Sequence, residues 1–242
     1  MKLLAIDAGN TRIKWAIYDG ERKLHEGTLP TAEAHGLEQA LRAAPSVERV
    51  VIANVAGEEV RVALGNAFAC AAPWIWVVGQ EAQCGVRSSY ADPGQLGGDR
   101  WAALIGARRL CEGSCVVVNA GTTMTVDALS ADSIFLGGFI VPGFELMRRT
   151  LASNTAQLHL REGRFSFFPD TTGDAITSGA LNALAGAVDR MCSYMVDSGE
   201  DEPLVVISGG DGPLLLPHLS AQTQLVDNLV LEGLARIGMS DV

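Results

Sequence analysis

Residues 3–17 of the chain read LLAIDAGNTRIKWAI, in which an apolar run leads directly into the acidic and small polar residues DAGNT at 7–11. The residues before this pentapeptide are rich in Leu, Ile and Ala, and residues 12–18 alternate and carry β-branched and aromatic side chains. Both flanks are therefore predicted strands. Because the first strand returns into the second, residues 7–11 are predicted to form the tip of a β-hairpin.

The hairpin tip allows two interpretations. Gly, Asn and Asp all favour turns, so the pentapeptide can be a turn that binds nothing. Alternatively, Gly9 lets backbone N–H groups approach a phosphate closely, while Asn10 and Thr11 add side-chain donors. An aspartate beside a phosphate needs a cation between the two anions, so Asp7 would act through Mg²⁺. Phosphoryl transfer requires such positioned donors and a metal ion that neutralises charge.

A second stretch, VVVNAGTTMTVDAL at 116–129, repeats this pattern of strand, acid or amide, Ala-Gly, two polar residues and strand. A repeat at the scale of a domain indicates duplication. Strands alternate with helices in each half, which favours layered α/β architecture. The sequence thus predicts two halves, residues 1–112 and 113–242, each presenting one hairpin to a cleft. This arrangement resembles the duplicated, ribonuclease H-like domains of the actin-like and sugar-kinase ATPases.

Composition excludes several classes of protein. The formal net charge is −10 and no basic run occurs, which argues against binding to nucleic acid. No stretch of eighteen apolar residues or signal peptide is found, so no membrane association is expected. The five cysteines form no C-x-x-C pair and the four histidines have no metal-ligand spacing. We therefore expect a reduced, cytoplasmic protein.

Hydrophobic periodicity predicts the remaining elements. Predicted helices are residues 32–44, 57–71, about 100–111, a segment after Pro142, 174–197 and about 226–238; predicted strands are 48–54, 74–78, 115–119, 124–129 and 204–208. The loop SSYADPGQLGGDR at 88–100 runs into the third helix.

The whole chain resembles the type III pantothenate kinases, bacterial enzymes of coenzyme A synthesis. The resemblance rests on six segments in the family's order: DAGNTRIKW at 7–15, LGGDRWAALIGA at 96–107, NAGTTMTVDA at 119–128, GGFIVPG at 137–143, TTGDAITSGAL at 171–181 and ISGGDG at 207–212. It implies ATP-dependent phosphorylation of pantothenate to 4′-phosphopantothenate, with Mg²⁺ and a monovalent cation, K⁺ or NH₄⁺, as cofactors. It also implies a homodimer.

The resemblance assigns roles in the loop that precedes the third helix. Asp99 would be the general base that takes a proton from the attacking primary hydroxyl. Its position just ahead of a helix also suits an N-cap. Arg100 would bind the carboxylate of pantothenate, although an arginine in a first helical turn is commonly solvated. Tyr90, Gly97 and Gly98 would line the substrate site, and the other reading of Tyr90 is a half-buried loop aromatic.

Other positions match the family's nucleotide and substrate contacts. Thr172 would touch pantothenate, with Thr171 as its neighbour and an N-cap as the alternative role for either. Lys14 has the alternative role of a surface charge. Gly209 and Gly210 would allow close approach of adenosine or form a plain turn. The segment that would bind ATP phosphates comprises Asp7 (through Mg²⁺), Ala8, Gly9, Asn10, Thr11, Arg12, Ile13 and Lys14, with Thr122 from the second hairpin.

Asn119 departs from the family pattern, which usually has aspartate as a ligand of the monovalent cation. Asn keeps an oxygen ligand but loses a full charge. The ion would be bound more weakly, bound through the amide and backbone carbonyls, or not needed. Asn119 can also be a turn residue without any ligand.

Two rival functions remain open from the sequence. One is a related phosphotransferase or phosphohydrolase with another acceptor, whose specificity the loop at 88–100 would carry. The other is a non-catalytic regulatory accessory factor, against which the presence of Asp7, Asp99 and Arg100 argues. The helix at 174–197, with Gly179 and Gly186 among alanines, is the expected dimer contact or, alternatively, an internal packing helix.

Overall fold

The computed structural model describes residues 1–42, 45–67, 72–154 and 162–240. Parts of two predicted helices, residues 43–44 and 68–71, lie outside this description. The chain forms two compact units. The first comprises Met1–Leu110, Ser133–Phe135 and Asn228–Val242, and the second comprises Cys111–Asp132 and Leu136–Asp227.

The described chain combines runs of consecutive strands with single helices or 3₁₀ turns between them. In chain order the elements are β1 (Lys2–Ala8), β2 (Arg12–Asp19), β3 (Arg22–Pro30), a 3₁₀ turn (Thr31–Gly36), α1 (Leu37–Leu41), β4 (Arg49–Asn54), α2 (Glu58–Ala67), β5 (Trp74–Trp76), β6 (Ala82–Gln83), β7 (Val86–Ser88), a 3₁₀ turn (Pro93–Gln95), α3 (Gly98–Arg108), β8 (Cys115–Ala120), β9 (Thr123–Leu129), β10 (Ile134–Pro142), α4 (Phe144–Asn154), α5 (Thr172–Asp197), β11 (Leu204–Ser208), α6 (Gly212–Leu215), a 3₁₀ turn (Leu216–His218), β12 (Thr223–Leu225) and α7 (Leu229–Met239).

The first unit is built on a five-stranded sheet of order β3-β2-β1-β4-β5. Strand β1 is central, antiparallel to β2 and parallel to β4. Successive side chains of a strand face opposite sides of the sheet. Leu4 and Ile6 accordingly join a buried cluster that includes Leu64 of α2, whereas Leu3 faces Gly238 of α7. Both faces of the central strand are therefore covered, which explains its nearly continuous apolar run.

The last helix belongs to the first unit, although the predicted division after residue 112 assigned it to the second half. Helix α7 packs against α3 so closely that a side chain at Gly233 would collide with the backbone of Ala102. Tyr18 of β2 donates a hydrogen bond to Glu232 of α7 at 2.9 Å. The surface that buries the apolar face of a helix decides which unit the helix joins, whatever its position along the chain.

The second unit repeats the strand order of the first. Five strands of the second sheet run in the order β10-β9-β8-β11-β12, with β8 antiparallel to β9 and parallel to β11, and β7 and β6 continue this sheet beyond β10. Each of the five positions has its counterpart in the order β3-β2-β1-β4-β5. Helix α5 packs on this sheet through Leu184 and Val188, which share a buried cluster with Val118 and Val126. The predicted duplication of a ribonuclease H-like α/β domain is confirmed, while the cleft between the halves stays a prediction.

Two strands and one helix illustrate how the structure differs from the sequence-based prediction. Strand β3 was not predicted, because its side chains are mostly exposed and polar. Strand β10 is interrupted by Gly137 and Gly138, which hide its extended pattern. The helix predicted at 32–44 begins as the 3₁₀ turn and becomes α-helical only at Leu37. No helix in the described ranges is long and apolar enough to cross a membrane.

Candidate active site

Asp7 lies near the end of the central strand of the first sheet. Its partner in β2 is Lys14 and its partner in β4 is Ala53. Residues directly opposite each other in adjacent strands place their side chains on the same face. Asp7 and Lys14 are both half-buried. A negatively charged and a positively charged side chain therefore lie next to each other near the end of the strand.

The predicted hairpin comes directly after Asp7, and a hydrogen bond between its own backbone groups closes it. The N–H of Gly9 donates to the carbonyl of Arg12 at 3.1 Å, and the carbonyl of Gly9 accepts from Thr31 Oγ1 at 2.6 Å. The Gly9 N–H is therefore engaged in the hairpin rather than presented to a ligand. Asn10 and Thr11 are exposed at the tip.

Two neighbours in the predicted phosphate-binding segment have no exposed side chain. Ala8 and Ile13 are fully buried in the core of the first unit. The prediction that these two residues contact ATP therefore concerns their backbone groups. Arg12 is exposed.

The glycines of the second predicted motif have a packing role. Helix α3 has Gly97 as its N-cap, with φ −55° and ψ 138° and no side-chain cap bond. A Cβ at Gly98 would collide with the carbonyl of Val77 and would lie 3.6 Å from the Cβ of Ala53. The N-terminus of α3 thus sits against the strand that flanks Asp7, and only glycine permits this approach.

Asp99 lies in the first turn of α3, two residues after the N-cap. The N-cap alternative for Asp99 is therefore wrong. Its Oδ1 accepts a hydrogen bond from the N–H of Arg100 at 2.8 Å. Burial raises the pKa of Asp99, while the Arg100 N–H and guanidinium act against this increase. The carboxylate is thus a better proton acceptor than a solvated one.

Asp7 and Asp99 lie within electrostatic range of each other. Burial, and secondly the charge of Asp99, raise the pKa of Asp7 from 3.8 to about 7, and Lys14 opposes this rise. The structure therefore brings together two of the carboxylates that the sequence singled out, from positions 92 residues apart. A pair of partly buried carboxylates is most stable with a cation or a shared proton between them.

Arg100 and Tyr90 also meet. Arg100 is only 6% exposed, so the alternative of a solvated first-turn arginine is wrong. One guanidinium nitrogen donates to the hydroxyl of Tyr90 at 3.3 Å. The guanidinium carbon lies 5.9 Å from the ring centroid of Tyr90 and 5.7 Å from that of Phe135. Sequence reasoning missed Phe135, because no local motif marks it.

The second hairpin repeats the closure of the first within the second unit. The N–H of Gly121 donates to the carbonyl of Thr123 at 3.1 Å, and Thr122 is exposed at the tip. Asn119 occupies the position equivalent to Asp7, with Thr125 and Ser208 as its strand partners. Three neutral oxygen-bearing side chains therefore share one face where the first unit has Asp7, Lys14 and Ala53.

The structure bears on two further predictions at the loops of the second unit, which concern Thr171 and Thr172 and the glycines after β11. Thr171 is the N-cap of α5 and accepts from the N–H of Asp174 at 3.1 Å, which leaves the exposed Thr172 without a capping role. Gly209 adopts φ +101°, and a side chain there would collide with Ala120 of the second hairpin. This glycine is required by the fold itself.

The donor set in the first unit suits a magnesium ion held mainly by its substrate. Among the described residues, no group of three His, Cys, Asp or Glu side chains forms a metal-binding cluster. Mg²⁺ is commonly bound by one or two carboxylates together with substrate phosphates and water. Asp7 in its ionised form, with Asp99 within electrostatic range, fits that arrangement.

Comparison with solved structures bears on the fold. A solved structure of the activator of 2-hydroxyisocaproyl-CoA dehydratase from Clostridium difficile, with bound ADPNP, matches with a TM-score of 0.54 at 14% identity, covering 98% of this chain and 93% of that one. That likeness concerns the fold, which is that of the actin-like and sugar-kinase ATPases.

The sequence comparisons identify the family as well as the fold. A protein named type III pantothenate kinase from Aromatoleum aromaticum is 48% identical over 241 residues, covering 99% of this chain and 98% of that protein. Another of that name, from Azoarcus sp., is 47% identical over 242 residues, covering 99% and 91%. The sequence model of the family described as type III pantothenate kinase matches residues 3–194. The chain therefore belongs to the type III pantothenate kinase family.

Proposed function

We propose that this protein transfers the γ-phosphoryl group of ATP to the primary hydroxyl of pantothenate. The product is 4′-phosphopantothenate, and the reaction is the first step of coenzyme A biosynthesis. Membership of the family supports this proposal, and one observation carries it. Asp99 and Arg100 are consecutive in α3, with a partly buried carboxylate beside a guanidinium that is held against Tyr90.

Asp99 is the general base in this proposal. As the hydroxyl oxygen attacks phosphorus, its proton moves to the Asp99 carboxylate. The raised pKa of Asp99, caused by burial, favours this transfer near neutral pH. The bond from the Arg100 N–H to Oδ1 holds the carboxylate in place during the attack.

Recognition of the acceptor rests on the neighbours of Asp99. Arg100 pairs with the substrate carboxylate, and Tyr90 positions the guanidinium. The backbone of Gly97 and Gly98 lines the site without side chains. Thr172, which is exposed on the second unit, stays a predicted contact of pantothenate on the strength of the family resemblance.

The nucleotide phosphates bind at the first hairpin, and Thr122 of the second hairpin stays a predicted contact of ATP. Asn10, Thr11 and Thr122 are exposed at the hairpin tips and offer hydroxyl, amide and backbone donors. Arg12 and Lys14 add positive charge beside the first hairpin. Asp7 would hold Mg²⁺, which when bound neutralises charge on the phosphates.

A monovalent cation would be bound at Asn119, in keeping with the family. The amide oxygen of Asn119 has the hydroxyls of Thr125 and Ser208 as strand neighbours, and neutral oxygens suit an ion of single charge. We expect K⁺ or NH₄⁺ to stimulate the reaction weakly, because the site lacks a full negative charge.

We further infer a cytoplasmic homodimer. Helix α5 exposes Gly179 and Gly186, where a side chain would meet open space. Ile140, Phe167 and Phe168 of the second unit are 63%, 87% and 92% exposed. Small and apolar exposed residues favour association of two chains. Light scattering across a range of protein concentrations tests the dimer, and a monomer at every concentration would refute it.

The direct test of the function is the initial rate of ADP release from MgATP. The rate is measured without acceptor, with pantothenate, and with the pantothenate analogue that carries an alcohol in place of the carboxylate. We expect release to depend on pantothenate and to be much slower with the analogue. Acceptor-independent release would indicate a phosphohydrolase instead, and equal rates with both acceptors would remove Arg100 from recognition.

A further inference from the structure

The segment Ser133–Phe135 comes from the middle of the chain but belongs to the first unit. It runs parallel to β7, with Ile134 opposite Arg87 and Phe135 opposite Ser88. The N–H of Arg87 donates to the carbonyl of Ser133 at 2.9 Å. These three residues therefore lie beside the start of the loop that carries Tyr90.

The backbone of Phe135 fixes the residue that precedes Tyr90. Both the N–H and the hydroxyl of Ser89 donate to the carbonyl of Phe135, at 3.1 and 2.7 Å. The N–H of Tyr90 in turn donates to Ser88 Oγ at 3.2 Å. Tyr90 is thus attached to Phe135 through the main chain as well as through its ring.

The ring of Phe135 packs, together with that of Tyr90, beside the buried guanidinium of Arg100. Phe135 is 0% exposed, and its centroid lies 5.0 Å from that of Tyr90. Both rings lie within 6 Å of the guanidinium carbon of Arg100, the range in which a ring face attracts a cation. A long arginine side chain has many rotamers, and two rings restrict it to few.

We propose that Phe135 is a positioning residue for acceptor recognition. Its ring, together with Tyr90, holds the guanidinium of Arg100 in the orientation that pairs with the substrate carboxylate. Phe135 itself does not touch the substrate. This inference rests on the proposed function, because it assigns Phe135 a task in the same acceptor site.

The first experiment compares Phe135→Leu with the matched control Phe139→Leu. Phe139 lies in the same strand, and its ring meets only that of Tyr194 in the second unit among the ring pairs of the described chain, at 6.3 Å. We expect Phe135→Leu to raise the KM for pantothenate about tenfold, the loss expected from one well-placed cation–π contact. The KM for ATP and kcat should change less than about twofold, and Phe139→Leu should match the parent protein. An unchanged KM for pantothenate in a folded Phe135→Leu would overturn the proposal.

The second experiment tests whether Phe135 acts through Arg100. In the Arg100→Gln background, Phe135→Leu should cause no further rise in KM, because two residues of one interaction are not additive. Likewise, Phe135→Leu should leave the rate with the alcohol analogue unchanged. Additive effects, or an equal loss with both acceptors, would refute action through Arg100. Phe135→Met, whose unbranched and flexible side chain adapts to the space left by the ring, replaces Phe135→Leu if circular dichroism shows the latter unfolded.

These outcomes are separate from failure of the proposed function. If the parent protein releases no ADP with pantothenate, the function fails before any variant is made. If the parent protein is active and Phe135→Leu retains its KM for pantothenate, only the role of Phe135 fails.

Discussion

Asp7 and Lys14 lie directly opposite each other on the antiparallel strands β1 and β2. Their charges interact, since Lys14 lowers the pKa of Asp7 against the larger effects of burial and of Asp99. Lys14 therefore does more than carry a surface charge. It helps keep Asp7 ionised, which is the form that a magnesium ion requires.

Replacing Lys14 by Met should raise the pKa of Asp7 further. The acid limb of the pH profile of KM for MgATP should move upward by about one unit, because a nearby opposite charge has been removed. Lys23→Met is the control, since Lys23 is paired with Glu26 on the exposed strand β3. An identical profile for the parent protein and Lys14→Met would show that Lys14 does not act on Asp7.

The raised pKa of Asp7 also predicts how stability depends on pH. Between pH 3.8 and about 7 the folded protein keeps a proton that the unfolded chain has lost, so the free energy of unfolding should fall as pH rises. Urea unfolding in EDTA measures this slope. Asp7→Asn should flatten it, whereas Asp19→Asn, on the exposed end of β2, should not. Equal slopes for the parent protein and Asp7→Asn would contradict the electrostatic description of the site.

The close approach of α3 to Val77 predicts a strong effect at Gly98. Gly98→Ala should destabilise the protein by about 1–3 kcal/mol and reduce activity, because the new methyl group collides with a carbonyl. Gly65→Ala is the control. Gly65 lies in α2 with open space around it, so Ala should stabilise the helix by about 0.5–1 kcal/mol. Denaturant midpoints distinguish the two, and equal midpoints would argue against the packing.

Asn119 predicts the response to potassium. Asn119→Asp restores a full charge between Thr125 and Ser208, so K⁺ should stimulate ADP release at lower concentration than in the parent protein. The comparison uses K⁺, NH₄⁺ and Na⁺ at constant ionic strength. Equal activation curves for the parent protein and Asn119→Asp would remove residue 119 from the cation site.

The sequence was most informative where function and fold require the same local pattern. The two hairpins are visible because strand, glycine and strand follow within a few residues, and the repeated sheet order confirms the duplication they indicate. Asp99 was predicted just ahead of a helix, but it lies inside the first turn, and the usual preference for an acidic N-cap was misleading. The helix begins at Gly98 with Gly97 as its cap, and a side chain at Gly98 would collide with the carbonyl of Val77.

What the sequence could not reveal depends on contacts between distant segments. Phe135 follows no motif, and its position beside Tyr90 and Arg100 arises from pairing of β10 with β7. The last helix carries an apolar face that fits either half, and only packing against α3 assigns it to the first unit. Contacts between segments that are far apart in the chain leave no periodic pattern in a single sequence.

The central claim is that Asp99 promotes transfer of a phosphoryl group to pantothenate. Mass spectrometry of the products, with MgATP and pantothenate, tests it most directly. We predict 4′-phosphopantothenate and ADP in equal amounts from the parent protein and from Asp92→Asn, which keeps a side-chain cap in the same loop. Asp99→Asn should fold normally and react about 10²–10⁴-fold more slowly. Inorganic phosphate in place of 4′-phosphopantothenate, or full activity of Asp99→Asn, would contradict the account.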